Sequence, residues 1–165
     1  MERLNRFSVS LNRVFAVGSG AAVLGLIALA TANMVLRIVW VPVPGSYELI
    51  GFLGALAVAC GLGYTQVAKG HIAVTILTDL FPAKANRALD AVNHLIGAVF
   101  FGFCAWQTAL WGLEIARSGE VSQTLKIPYY PVILIVALGL AVFAVTLAVD
   151  FALAFRKREG KGDET

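Results

Sequence analysis

The chain has 165 residues, of which 59% are hydrophobic and 14% charged, and its mean hydropathy is +0.80. A soluble domain of this length carries about a quarter charged residues. The composition therefore excludes an ordinary water-soluble globule and indicates one polytopic membrane domain over 1–165. The formal net charge of +3 follows from where the basic residues sit relative to the membrane, so no nucleic acid is implied.

Residues 1–13 carry Arg3, Arg6 and Arg13 against Glu2, and an uncharged run follows over 14–36. A basic start before an apolar run also fits a secretory signal, with Ala28-Leu29-Ala30 as a faint cleavage site. A signal's apolar region is about 7–15 residues long, and this run exceeds it. It is predicted as the first membrane helix. Arg37 and Trp40 follow, a cation that can reach the headgroups and a ring that favours the interface. Val41-Pro42-Val43-Pro44-Gly45-Ser46 is a turn, since two prolines and a glycine forbid a continuous helix. Ser46 is the expected cap of the second helix. Glu48 falls in its first turn, where a negative charge suits the helix dipole.

The second helix is predicted over 49–68. These residues carry no charge, and at about 1.5 Å of rise each they span about 30 Å, the thickness of a bilayer's hydrocarbon core. Gly51, Ala55, Ala59 and Gly63 recur at every fourth position. That stripe is expected to face protein, because small residues let a neighbouring backbone approach. Across the turn, Arg37 and Glu48 are expected to pair with each other or with a neighbouring subunit. The competing reading is two solvated charges, each worth little.

After Lys69-Gly70-His71, residues 72–81 have split faces. Ile72, Ala73, Ile76, Leu77, Leu80 and Phe81 fall on one side, with Thr75, Thr78 and Asp79 on the other. Ten residues cannot cross a bilayer, but this pattern suits a short amphipathic helix in the interface. The alternative is a tight loop. Pro82 ends the segment. A third helix then begins in water or headgroups with Lys84, Arg87 and Asp90 and continues through the uncharged run 91–113. Trp106 and Trp111 lie toward its far end. Residues 114–126 read as a polar loop with Ser118-Gly119 as its turn. Ile127-Pro128-Tyr129-Tyr130-Pro131 opens the fourth run, predicted as a helix over 128–149, with a frayed tail over 156–165.

With four spans, the N-terminus, the stretch 69–90 and the C-terminus share one side. They hold ten of the thirteen Lys and Arg, and the other side holds Arg37, Arg117 and Lys126. Basic residues mark the cytoplasmic side. The predicted fold is thus an all-α integral membrane protein, with four transmembrane helices, an interfacial helix and both termini cytoplasmic.

The four apolar runs contain no Asp, Glu, Lys or Arg. Ion-coupled pathways through a membrane usually need such groups, so an independent ion path through these helices is not expected. His94 is the one ionisable side chain in them besides Cys and Tyr. With His71 it raises the reading of a cytochrome-b-like membrane anchor, set against two plain interfacial histidines. Cys60 and Cys104 sit in mid-run and behave as small apolar residues, which argues against a thiol oxidase. No phosphate loop, metal-ligand spacing or nucleophile constellation occurs. No enzymatic activity and no cofactor are expected.

Several residues together resemble one family. They are Arg37 ending helix one, Tyr47-Glu48 opening helix two, and Gly70-His71-Ile72-Ala73-Val74 after it. Leu80-Phe81-Pro82 with Arg87 and Asp90 stands before helix three, and Ser122-Gln123-Thr124-Leu125-Lys126-Ile127-Pro128 before helix four. In order and spacing, over nearly the whole chain, these resemble the small membrane subunit of tripartite ATP-independent periplasmic (TRAP) transporters, the DctQ-like family. Thr75 departs from the pattern, standing where the family often has an acidic residue. The resemblance implies an accessory scaffold subunit of the bacterial inner membrane. Its partners would be a large DctM-like membrane subunit, a periplasmic substrate-binding protein and membrane lipids. The implied process is sodium-driven uptake of an organic acid or similar small solute. The candidate interface or structural residues are Arg37, Glu48, Gly51, Ala55, Ala59, Gly63, His71, Ser122 and Pro128.

Overall fold

The computed structural model describes residues 2–67 and 83–156. They form four helices: α1 (Glu2–Val39), α2 (Ser46–Val67), α3 (Ala83–Ser118) and α4 (Tyr130–Arg156). Each contains a segment long and apolar enough to cross a membrane: Val9–Val39, Ser46–Val67, Ala91–Ser118 and Tyr130–Ala152. The expected interfacial helix over 72–81, together with His71, lies outside the described residues.

Helices α1 and α2 form one antiparallel hairpin and α3 and α4 a second. The hairpins join side by side through α2 and α4, giving the lateral order α1–α2–α4–α3. Helix α4 is the most buried and carries much of the core: Ile133, Ala137, Val142, Phe143, Ala144 and Leu147. The outer helices α1 and α3 leave most of their apolar side chains uncovered, among them Val17, Leu24, Phe103 and Trp106. In water that surface would be unfavourable, whereas a bilayer solvates it.

Register follows from which residues are small. In the first hairpin, Leu53 packs over Gly25 and Leu26 over Gly54, while Ser19 Oγ donates to the Ala57 carbonyl at 2.7 Å. In the second, Leu147 packs over Gly97, Ala144 over Gly102 and Ile133 over Gly112. The Phe101 and Phe143 rings meet edge to face with centroids 4.7 Å apart. Between hairpins, α2 and α4 touch backbone to backbone. A Cβ on Gly139 would stand 2.6 Å from the Ala59 carbonyl oxygen, closer than such atoms pack. Only glycine permits that approach, the arrangement by which membrane helices gain dispersion contact without a hydrophobic drive.

The helix ends correct several sequence expectations. Helix α1 starts well before residue 14, since residues 2–13 continue it and Asn12 turns inward rather than to the headgroups. Ser46 lies inside α2 instead of capping it. The Gly45 carbonyl accepts the Leu49 N–H at 3.1 Å, so Gly45 holds the cap position with φ at 70°. Helix α3 is the single long helix expected, but it runs on to Ser118, so residues 114–118, expected in the polar loop, are helical, and Gly119 turns the chain at φ 70°. Helix α4 begins two residues after Pro128, which instead pairs with Val121 in an isolated antiparallel bridge. A proline has no N–H to lose at such a bridge, and Pro131 occupies the first helical turn.

Candidate subunit-interface site

The two described interhelical loops, 40–45 and 119–129, lie at one end of the molecule. The second loop is a compact structure. Its Ser122 N–H donates to the Ile127 carbonyl at 2.9 Å, and Lys126 adopts a left-handed φ of 56°. Ser122 is 7% exposed. Tyr129 stacks on Phe52 of α2 with ring centroids 6.3 Å apart, and its hydroxyl donates to Glu120 at 2.8 Å. That bond, with some burial and the nearby negative charge, raises the Tyr129 pKa above the ordinary phenol value.

Glu48 organises this end. Its carboxylate accepts the Thr124 N–H at 2.7 Å and the Leu125 N–H at 3.3 Å. The Leu125 side chain then lies on Gly45, whose missing Cβ would fall 2.8 Å from each Leu125 δ-methyl. The expected Arg37–Glu48 pair does not form. Arg37 is exposed, and the Glu48 oxygens are engaged by the loop between α3 and α4. A carboxylate satisfied by two backbone donors gains little from a long, mobile arginine in water.

The α2 stripe divides in two. Ala59 is 4% exposed and lies on Gly139, and Gly63 is buried against Asn12 of α1. Gly51 and Ala55 are exposed, and a Cβ on Gly51 would meet nothing within 4 Å. The reason is helical pitch. Each four-residue step overshoots a full turn by about 40°, so three steps rotate the stripe by about 120°. One straight neighbour cannot cover all four positions.

Two further features were missed by the stripe argument. The first is a polar junction at the end opposite the loops. Asn12 is fully buried and donates through Nδ2 to Thr146 Oγ1 at 2.8 Å. Gln66 donates to Asp150 at 2.9 Å nearby. Gln66 and Asp150 lie at span ends, and Asn12 stands beside Arg13 in the charged segment 1–13. The second is a cavity of about 390 Å³ between α3 and α4, floored by Gly102, Ala105, Ala137 and Ala141, with exposed Trp106 and Leu138 beside it. Its signal was small residues at three- and four-residue spacing on two helices.

Cys60 and Cys104 are free thiols. His94 is half-buried, with Nδ1 unpartnered. Among the described residues no three His, Cys, Asp or Glu side chains gather as metal ligands. Small residues thus line an exposed patch at Gly51 and Ala55 and a partly covered groove between α3 and α4, and the polar side chains of the junction tie helices to each other.

Searches of curated proteins and of solved structures return no match. A family model does match, over residues 26–157, and its description is the DctQ component of tripartite ATP-independent periplasmic transporters. That span takes in the loop 119–129, Glu48 and the whole α2–α4 crossing, and the four apolar helices fit a membrane component. The chain belongs to the DctQ component family of the tripartite ATP-independent periplasmic transporters.

Proposed function

We propose that this chain is the static scaffold subunit of its transporter, seated in the bacterial inner membrane with both termini cytoplasmic. It supports a large membrane subunit that carries an organic acid or similar small solute inward, driven by sodium and supplied by a periplasmic binding protein. The observation that carries this reading is the placement of charge. Within the apolar segments Arg13, Arg37, Glu48, Glu114, Arg117 and Asp150 stand near the ends. A coupling-ion site needs ionisable or coordinating groups at membrane depth, so the ion and solute path belongs to the partner. The ten-to-three split of Lys and Arg supports the orientation. The uncovered Gly51 and Ala55 face and the α3–α4 groove are the surfaces offered to the large subunit, where close backbone approach favours helix association. The haem-anchor reading gains no support from the family match.

Co-expression of the chain with its large subunit tests the assembly claim. A tag on either should recover both in a stable ratio from detergent. Recovery of this chain alone would remove the basis for a scaffold role.

A further inference from the structure

The two hairpins are tied at both ends and pressed together between them, but the ties differ in kind. At the end away from the loops, Asn12–Thr146 and Gln66–Asp150 join helix to helix. In mid-span, Gly139 lies against the Ala59 backbone. At the loop end, Glu48 of the first hairpin holds the backbone of a loop in the second, at Thr124 and Leu125. The buried Asn12–Thr146 tie cannot open without unpacking the core. A helix-to-loop tie can.

We propose that Glu48 is a releasable latch. Closed, it fixes the loop 119–129 across both hairpins, seats Leu125 on Gly45 and buries Ser122. The same closure holds exposed Gln123, Thr124 and Lys126 in one ordered surface. Open, residues 121–127 swing from α2 while the Tyr129–Phe52 stack, the Ala59–Gly139 crossing and the polar junction stay packed. Two features favour a loop that opens once let go. The left-handed Lys126 is a conformation that side chains bearing a Cβ adopt reluctantly. Gly45 offers Leu125 a seat with no side chain of its own to interlock. The inference does not depend on the transport reading, since it concerns the chain alone.

The test uses the full chain, purified in detergent, with Cys60 and Cys104 replaced by alanine and Ser122→Cys as reporter. A water-soluble maleimide should label this position slowly when Glu48 is present. Glu48→Ala should raise the rate about tenfold, as expected for losing hydrogen bonds to a charged acceptor. Glu48→Gln, which keeps one carbonyl acceptor, should fall between. Gln123→Cys, already exposed, should label equally fast in every background. Trypsin cleavage after Lys126, measured in chains that retain Ser122, should accelerate in parallel. Helix content and cooperative unfolding should be unchanged. If Ser122→Cys or the tryptic cut keeps its parent rate in Glu48→Ala, the latch is wrong. It is also wrong if Glu48→Ala abolishes cooperative unfolding, because Glu48 would then be part of the core.

Discussion

The Asn12 amide, near the start of the apolar segment of α1, donates to the Thr146 hydroxyl in the second half of α4, and the Thr146 hydroxyl donates in turn to the Val142 carbonyl at 2.9 Å. The two residues are 134 positions apart in sequence. Their bond joins the first helix to the last and passes directly over Gly63, where a Cβ would collide with Asn12 Oδ1. Thr146→Val keeps the side chain's shape and removes the acceptor from a fully buried amide. Stability in detergent should fall by about 1 kcal/mol, between the typical value for interhelical bonds in membranes and the cost of stranding a buried polar group. Thermal unfolding of the variant measures it, and an unchanged midpoint would show that the bond does not hold α1 in place.

The division of the α2 stripe makes a sharper comparison. Ala59→Leu and Gly63→Leu should destabilise the chain by itself, by about 1–3 kcal/mol, because each forces a larger side chain against packed neighbours. Gly51→Leu and Ala55→Leu should leave the isolated chain within about 0.5 kcal/mol of the parent, as surface substitutions do. The second pair should instead reduce recovery of the complex with the large subunit. Unfolding of the four single variants, followed by co-purification, separates the two halves. Equal destabilisation by all four would contradict the split.

Tyr129 supplies a pH test at the loop end. Its folded pKa is raised, first by donating to Glu120, then by burial and by the Glu120 charge. A raised folded value means the Tyr129–Glu120 contact stabilises at pH below the unfolded phenol pKa. That contribution is lost as pH climbs through the folded one. Glu120→Gln removes the charge and should shift the Tyr129 titration downward. Phenolate absorbance, taken as the difference from a Tyr129→Phe chain, reads it. A midpoint that stays or rises would exclude Glu120 as the cause.

Orientation is checked by a single cysteine in the tail. Gly160→Cys in a cysteine-free chain should react with an impermeant maleimide only after the membrane is opened. Labelling of intact cells would invert the topology argued from the Lys and Arg count.

The sequence carried the helices well, because apolar runs bounded by charge translate almost directly into spans. It carried the joints poorly. Glu48 was recognised at a helix start, yet its partners lie 76 and 77 residues away in a loop that shows no pattern pointing back to it. Arg37, nearer in sequence and opposite in charge, drew the pairing instead. The left-handed Lys126 was equally hidden, since lysine gives no turn signal of the kind Gly119 gives. Asn12 stands beside Arg13 in a segment with three arginines, a setting that gives no sign of a buried amide. For the stripe, the four-residue spacing is legible, but the rotation of the row around the helix divides it between a buried and an exposed face.

The central claim is that this chain holds still and is required while another subunit moves the solute. Reconstituted uptake tests it most directly. Proteoliposomes with the large subunit, the binding protein and this chain should accumulate solute under an inward sodium gradient, and omission of this chain should reduce uptake to background. Full sodium-driven uptake without it would contradict the account.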